Sequence, residues 1–165
     1  MRLPILVVGS LMLCCASASA ADPRGVWLVE DQSGQIEIGN CAGALWGTLV
    51  WERAPGRDSE NPDPSLRGRP TLGMPILLGL RPAPEPHAEG PPAIWRGQIY
   101  NSRNGKTYEA SIKPVGPDVL HLEGCVLGGL FCGGQDWTRV KAPARPSAPA
   151  ADFCSRIPDL ARRTH

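Results

Sequence analysis

Cysteines are the most reactive side chains in this sequence, and four of the six follow an N-terminal apolar segment. An even number of cysteines in an exported chain predicts disulfides, because the compartments outside the cytoplasm are oxidising. Cys125 and Cys132 bracket a six-residue segment typical of a hairpin connection, so they are expected to face each other across its base. Pairing of Cys41 with Cys154 then follows by elimination only, and all three connectivities stay open.

The same spacing disfavours a metal site. Zinc ligands are usually separated by two to four residues and usually include histidines. Six residues separate Cys125 from Cys132, and no histidine adjoins either cysteine. The acidic residues of segment 58–63 lack the spacing and the glycine pivot of an EF-hand. The sequence therefore predicts no metal ion and no other cofactor.

Acid–base and nucleophilic catalysis have no supporting motif. A general base needs a positioned neighbour and hydrogen-bond reach to the proton that it removes. His87 lies in a proline-rich segment, and His121 is predicted to point outward beside Glu123. Glu30 and Asp31 are adjacent on a predicted strand, where neighbouring side chains face opposite sides, so they cannot flank one glycosidic bond. No catalytic residue is predicted, and a function other than catalysis is expected.

Arg67-Gly68-Arg69 is a candidate anion site. If the segment is extended, both guanidinium groups point the same way and could clamp a carboxylate or a phosphate. The alternative is that they tie a long loop to the rest of the fold by bonding to carbonyls or to acids such as Asp63. Both uses fit the sequence.

Five tryptophans, against two tyrosines and two phenylalanines, are an unusual balance of aromatic residues. Trp27 and Trp137 are expected to fill a core. Trp51 and Trp95 lie at the strand ends that flank a long loop, where they could line an apolar pocket at the mouth of a barrel. The alternative is a barrel whose interior is filled by side chains. The candidate ligand contacts are Arg67, Arg69, Trp51, Trp95, Tyr100 and Tyr108.

Short segments rich in β-branched and aromatic residues must position these side chains. Apolar and polar residues alternate in most of them; Leu120 and Leu122 share one face, while His121 and Glu123 take the other. This period of two predicts antiparallel strands with one buried face. The fold class is therefore all-β, and closure into a small up-and-down antiparallel β-barrel would remove the exposed edges. The predicted strands are 26–30, 35–38, 44–51, 94–100, 106–113, 119–123 and 135–140.

One long proline-rich loop insertion, residues 53–92, interrupts the predicted strands. A connection of this length in a compact domain is either functional or disordered. The one helical candidate lies within it, at Met74 to Leu80. Residues 142–165 are predicted to be a flexible C-terminal tail with Cys154 as its tether. The barrel domain is accordingly expected over residues 21–141.

Residues 1–20 have the pattern of a signal peptide. Arg2 supplies a charge, residues 4–16 form an apolar run too short to span a bilayer, and an A-x-A pattern predicts cleavage after Ala20 or Ala21. No later stretch is long and apolar enough to span a membrane. Without Arg2 the chain has 16 basic and 16 acidic residues, and this neutrality argues against a nucleic-acid partner. A periplasmic or secreted location is expected.

Four motifs that occur in order resemble a known family; they lie within Asp22–Asp31, Asn61–Pro70, Ile99–Tyr108 and Gly124–Arg139. The chain resembles the DUF2147 family of exported bacterial proteins, a domain of unknown function. The resemblance covers most of residues 22–140 and implies a compact, lipocalin-like β-barrel with no established activity. The family commonly has a second cysteine where this chain has Trp46. If Cys41 pairs with that cysteine elsewhere in the family, Cys154 can substitute for it here.

Gly25-Val26-Trp27 adds a second, independent likeness. Lipocalins and related barrels carry Gly-x-Trp on the first strand, and its indole packs under an arginine of the last strand, where this chain has Arg139. A cation over an indole face contributes about 0.5–2 kcal/mol. Gly25, Trp27 and Arg139 are therefore expected to be structural. Asn61 and Asp63 are also expected to be structural, in a turn where their side chains bond to the backbone.

Two functions of different classes fit these features. The first is non-enzymatic binding of a small apolar or amphiphilic ligand in the periplasm, with residues 61–80 as its lid or rim. The second is an envelope interaction or structural protein with a filled barrel, which docks a protein or cell-wall partner through residues 53–92. A pocket lined by the named aromatics favours the first, and a large exposed apolar patch around Met74 to Leu80 favours the second.

Overall fold

Eight antiparallel strands form one closed barrel, in which each strand pairs with its neighbours in sequence and β8 pairs with β1. The computed structural model describes residues 21–83, 94–126, 130–141 and 150–157. The barrel confirms the predicted fold class. The strands are β1 Gly25–Leu28, β2 Gly34–Cys41, β3 Ala44–Glu52, β4 Pro75–Ala83, β5 Ile94–Asn101, β6 Lys106–Pro114, β7 Val119–Val126 and β8 Phe131–Arg139.

The alternation along the strands separates a buried interior from an outer face. Leu120 and Leu122 are buried inside the barrel, as predicted, and pair with Trp137 and Gln135 of β8. The interior core is formed by Trp27, Ile36, Ile38, Leu45, Leu77, Leu80, Ile112, Leu120, Leu122 and Trp137. We call the end that carries connections 29–33, 53–74 and 102–105 the open end. The end that carries residues 21–24 and connections 42–43 and 115–118 is the basal end.

At the basal end of the barrel, Arg139 of the last strand, β8, is bonded to the first strand, β1, and to the residues that precede it. Its guanidinium carbon lies 4.1 Å from the centroid of the Trp27 ring. The same group donates to the carbonyls of Asp22, Arg24 and Pro117 at 2.6–2.8 Å. A Cβ at position 25 would lie 2.7 Å from the Arg139 guanidinium, and Gly25 has a φ of +121°, so a glycine is required there.

Strand β4 corrects the sequence prediction. Residues 75–83 form a strand, whereas the sequence predicted a helical candidate at Met74 to Leu80 within a loop of residues 53–92. The alternation of β4 is masked because its register shifts against both neighbours and Gly79 adopts a φ of +61°. The predicted loop is thus divided into two connections at opposite ends of the barrel. Residues 53–74 lie at the open end, and residues 84–93 lie outside the described residues.

The C-terminal segment also differs from the predicted tail, because a short helix, α1 (Ala150–Ser155), docks on the outer face of β2. Phe153 and Ile157 are buried there in a second apolar cluster with Trp46. A Cβ on Gly39 would lie 2.6 Å from the Phe153 ring, so the glycine makes room for it. Cys154 is bonded to Cys41, which confirms the pairing reached by elimination.

A buried acid fastens connection 53–74 to the barrel wall. Asp58 is fully buried; its carboxylate accepts from Tyr100 Oη at 2.6 Å, from Asn61 Nδ2 at 2.6 Å, and from Arg69 at 2.8 Å. Burial acts to raise the pKa of Asp58, but these three bonds and the Arg69 charge outweigh it and hold the pKa below its ordinary value. Burial and the neighbouring Asp58 carboxylate raise the pKa of Tyr100 to about 12.

The second disulfide joins Cys125 to Cys132 across β7 and β8, as predicted from the hairpin spacing. The predicted signal peptide lies outside the described residues. Among the helices in the described part of the chain, none is long and apolar enough to cross a membrane.

The two disulfides are expected to differ in their contribution to stability. Cys41–Cys154 closes a sequence separation of 113 residues and Cys125–Cys132 one of 7. On the loop-entropy estimate, removal costs about 5 kcal/mol for the first and about 2.5 kcal/mol for the second. Urea unfolding of the Cys41→Ser/Cys154→Ser and Cys125→Ser/Cys132→Ser variants measures both. Equal midpoints in the two variants would contradict this account.

Asp58→Asn is expected to lower the free energy of unfolding by about 1–3 kcal/mol at pH 7, because it removes the charge from buried hydrogen bonds. Since the folded pKa lies below the ordinary 3.8, the stabilisation is complete above that value and is lost as the pH falls through the folded pKa. Urea unfolding at pH 7 and at pH 3 should therefore show a smaller difference between wild type and variant at pH 3. Asp118→Asn, at an exposed ion pair, is the control. A difference that does not shrink at pH 3 would refute the assignment.

Candidate functional site

A cavity of about 800 Å³ occupies the barrel interior at the open end. Ile36, Leu122 and Trp137 belong both to the cavity lining and to the interior core, so they form its floor. Four further apolar side chains complete the wall, namely Val29, Leu49, Ile76 and Ile99. The core therefore fills the basal half of the barrel and leaves the open half hollow.

Glycines at inward positions explain why this half of the barrel is hollow. Gly124 of β7 pairs with Gly133 of β8, and both line the cavity. A Cβ at Gly133 would meet no atom within 4 Å, and one at Gly124 would make only ordinary contacts at 3.8–4.0 Å. The missing side chains thus leave space that the wall does not fill. Glycine within a strand often marks such a close approach to a ligand or a neighbouring chain.

Polar and charged side chains surround the cavity mouth. Arg103 donates to Asp31 at 2.9 Å, and both side chains are largely exposed. Hydrogen bonds from the Ser33 side chain and backbone, then the bond from Arg103, lower the pKa of Asp31 to about 2. The polar residues that line the mouth are Asp31, Ser33, Glu52, Arg53, Arg57, Ser59, Glu60, Asn101, Ser102, Arg103 and Tyr108.

Connection 53–74 is bonded to this rim. Thr71 Oγ1 donates to Glu52 at 2.6 Å, and the backbone N–H of Gly56 donates to the same carboxylate at 3.3 Å. The guanidinium of Arg53 donates to the carbonyl of Gln32 in the β1–β2 connection at 2.9 Å. Connection 53–74 is therefore held at the mouth at two points, Glu52 of β3 and Gln32 of the β1–β2 connection.

Of the predicted ligand contacts, the structure places Tyr100 and Tyr108 at the cavity. The Tyr108 hydroxyl accepts from Asn104 Nδ2 at 2.7 Å and is partly exposed. The Tyr100 hydroxyl is committed to Asp58. Tyr108 is therefore the tyrosine whose position suits a contact with a bound molecule.

Arg67 and Arg69 are used within connection 53–74 and do not line the cavity. Arg67 Nε donates to the carbonyl of Asn61 at 2.8 Å, and Arg69 pairs with Asp58. Asp63 caps the short 3-10 helix Pro64–Leu66 by accepting from the Ser65 N–H at 2.9 Å. These contacts match the tether that the sequence left open as the alternative to an anion clamp.

Trp51 and Trp95 lie elsewhere than the sequence suggested. Trp51 pairs with Gln35, while its neighbour Glu52 pairs with Gly34, and Gly34 and Glu52 both line the cavity. By strand alternation the Trp51 side chain is on the outer face. Trp95 is the second residue of β5 and therefore lies at the basal end, where it packs against the core. Because β4 was missed, these two strand ends were wrongly assigned to the same mouth.

Sequence reasoning missed the apolar wall residues of the cavity, because nothing in an alternating strand distinguishes a wall from a core. It placed Trp137 in the core, where it is, but did not foresee that it also forms the floor. Its buried indole N–H has no hydrogen-bond acceptor among the described residues. The sequence did contain a signal for the cavity. Gly124 directly precedes Cys125 and Gly133 directly follows Cys132, so the predicted hairpin places the two glycines opposite each other.

This arrangement can hold a molecule with an apolar body and a polar end. The floor and wall are aliphatic and aromatic, whereas the mouth offers both charges and several hydroxyl and amide groups. Among the described lining residues there is no histidine or cysteine. The one cluster of potential metal ligands found among the described residues lies on the outer face instead, at Glu123, Cys125 and Cys132.

Comparisons with known proteins agree with this architecture. A solved structure of protein HP1028 from the human pathogen Helicobacter pylori, described as belonging to the lipocalin family, matches with a TM-score of 0.63. The match covers 73% of this chain and 84% of that one at 18% identity, which shows the fold alone. No curated protein matches the sequence. The family model described as an uncharacterised protein conserved in bacteria, DUF2147, matches residues 25–139, and the chain therefore belongs to the DUF2147 family.

Proposed function

We propose that this protein is a non-enzymatic binding module that holds a small, partly apolar ligand in the cavity at its open end. The observation that carries the proposal is the cavity itself, which combines an apolar floor with a charged mouth. Its volume of about 800 Å³ lies within the range of small-molecule sites, about 300–1,000 Å³. A closed barrel with a half-filled interior is how small barrels hold one ligand.

The orientation of the ligand follows from the lining. Its apolar part would lie on Ile36, Leu122 and Trp137, since burial of apolar surface is worth about 25 cal/mol per Å². Its polar end would remain at the mouth, near Tyr108 and Arg103, where charged groups stay hydrated. The rim carries acids and bases together, so an amphiphile rather than a strongly charged metabolite suits the site.

A location outside the cytoplasm, in the bacterial periplasm or beyond it, is part of the proposal. Two supports are available: the N-terminal sequence pattern and the two disulfides, which persist in oxidising compartments. The family description supplies the bacterial setting.

The alternative, a filled barrel that docks a partner through residues 53–92, has less support. A large exposed apolar patch around Met74 to Leu80 would have favoured it. Met74, Leu77 and Leu80 are instead 4%, 0% and 0% exposed, because they belong to the barrel wall and core. The apolar residues of this segment are therefore used by the fold.

Filling the cavity is expected to weaken binding without unfolding the barrel. Gly133→Leu and Gly124→Leu each add a side chain where the structure has room for the first atom. The affinity for the apolar anionic probe 1-anilinonaphthalene-8-sulfonate, followed by fluorescence, should fall at least about tenfold, or about 1.4 kcal/mol.

Gly116→Leu is the matched control, because Gly116 also has open space around its Cβ position but lies in connection 115–118 at the basal end. Thermal unfolding followed by circular dichroism checks that all three variants fold. Unchanged probe affinity in both cavity variants would overturn the proposal.

A further inference from the structure

The outer face of the β7–β8 hairpin brings together side chains that are separated in the sequence. Three cross-strand pairs lie in a row on this face: Cys125 with Cys132, Glu123 with Gly134, and His121 with Asp136. The spacing that disfavoured a zinc site is the number of residues between Cys125 and Cys132 along the chain, which does not describe their distance in space. Antiparallel pairing instead places the two sulfur atoms next to each other, with a carboxylate and an imidazole at the following positions.

Three potential ligand atoms are already close together. The carboxylate of Glu123 and the sulfur atoms of Cys125 and Cys132 all lie within 4.8 Å of one another. Glu123 Oε1 is 3.7 Å from the Cys125 sulfur. Cys132 is exposed, and Cys125 and Glu123 are partly buried, so reagents can reach the site from solvent. Two thiolates on one zinc ion are about 3.8 Å apart, since the Zn–S distance is about 2.3 Å.

His121 is held as metal-binding histidines usually are. Its Nδ1 lies 2.6 Å from Asp136 Oδ1, and a carboxylate on one ring nitrogen orients the other nitrogen towards a metal. A Cβ at Gly134 would lie 3.1 Å from Nε2, so the ring extends over Gly134. That position lies between Asp136 and Cys132 on the same face. His121 is not among the three groups whose ligand atoms lie within 4.8 Å of one another, so its Nε2 must move towards them to share an ion.

The charges around the sulfur atoms favour a cation once the disulfide is open. Glu109 of β6 pairs with Cys125, so two carboxylates flank this cysteine. The opposing charges on this face are Arg96 of β5, which lines the same surface depression as Glu123 and Cys125, and Lys113, which pairs with His121. The grouping of a carboxylate with the two sulfur atoms is what points to a cation.

We propose that this face is a redox-controlled zinc site, in which Cys125, Cys132 and Glu123 bind Zn²⁺ with His121 as the fourth ligand. A dithiol donates two electrons and two protons to the Cys125–Cys132 bond, which yields two thiols and the disulfide of the donor. Zn²⁺ then binds the two sulfur atoms, and the two thiol protons pass to solvent. In the oxidised state the sulfur atoms are bonded to each other and the site is closed. This site is on the opposite side of the barrel wall from the ligand cavity and does not depend on the proposed binding function.

The hairpin is expected to persist when the disulfide is opened. Eight residue pairs join β7 to β8, from Val119 with Thr138 to Val126 with Phe131. Cys41–Cys154 is more protected, because Cys41 is 2% exposed. Limited reduction should therefore open Cys125–Cys132 first and leave intact Cys41–Cys154, which holds α1 on β2.

The experiment measures Zn²⁺ binding to the full chain by competition with a chromophoric chelator, before and after limited treatment with a phosphine reductant. Alkylation and peptide mass mapping show which cysteines are free. We expect one Zn²⁺ per chain after reduction and at least tenfold weaker binding before it. Substitution of Co²⁺ should give thiolate-to-metal absorption in the near ultraviolet, which oxygen ligands alone do not produce.

Variants assign the ligands. Cys125→Ser/Cys132→Ser should lose binding, His121→Ala and Asp136→Asn should each weaken it about tenfold or more, and Cys41→Ser/Cys154→Ser should leave it unchanged. Circular dichroism checks the fold, and the wild-type comparison holds even if a variant fails to fold. The proposal is overturned if reduced wild type binds no zinc, if oxidised and reduced protein bind it equally, or if binding follows Cys41 and Cys154.

Discussion

The seam between the first and the last strand is the constraint on which the rest of the structure depends. Among the described residues, two pairs join β1 to β8, Trp27 with Arg139 and Leu28 with Thr138, and the Val140 N–H donates to the Val26 carbonyl, whereas β7 and β8 share eight pairs. Arg139 reinforces this short seam with a cation–π contact and three bonds to carbonyls. Without closure, β1 and β8 would be exposed edges, and the interior would not be an enclosed space. The cavity at the open end therefore depends on the contact between Trp27 and Arg139 at the basal end.

The sequence predicted the fold wherever a local rule operates. Alternation identified the inward faces of β6 and β7, and the hairpin spacing identified the Cys125–Cys132 pair. It failed at β4, where register shifts and a left-handed Gly79 break the alternation. When β4 is missed, the next strand, β5, is expected to run in the opposite direction along the barrel, so its first residues are placed at the wrong end. That is why Trp95 was expected at the mouth but lies at the base.

The candidate site was less predictable than the fold, because a cavity is a property of missing volume. Gly124 and Gly133 create that volume, yet each alone resembles any strand glycine. Polar residues in long loops are readily interpreted as ligand contacts. Arg67 and Arg69 instead bond to groups of their own connection, the Asn61 carbonyl and the Asp58 carboxylate. Backbone carbonyls and the buried Asp58 need partners, and the nearby guanidinium groups satisfy them. Gly39, Trp46 and Phe153 pack together beside the Cys41–Cys154 disulfide.

The most direct measurement of the central claim is a two-dimensional ¹H–¹⁵N NMR titration of the labelled protein with 1-anilinonaphthalene-8-sulfonate. The account predicts that the indole signal of Trp137 and the amide signals of Gly124 and Gly133 move together with one saturation curve. The indole signals of Trp46, under α1, and of Trp95, at the basal end, should stay in place. Perturbations confined to the outer face of the barrel, with Trp137 unmoved, would contradict the account.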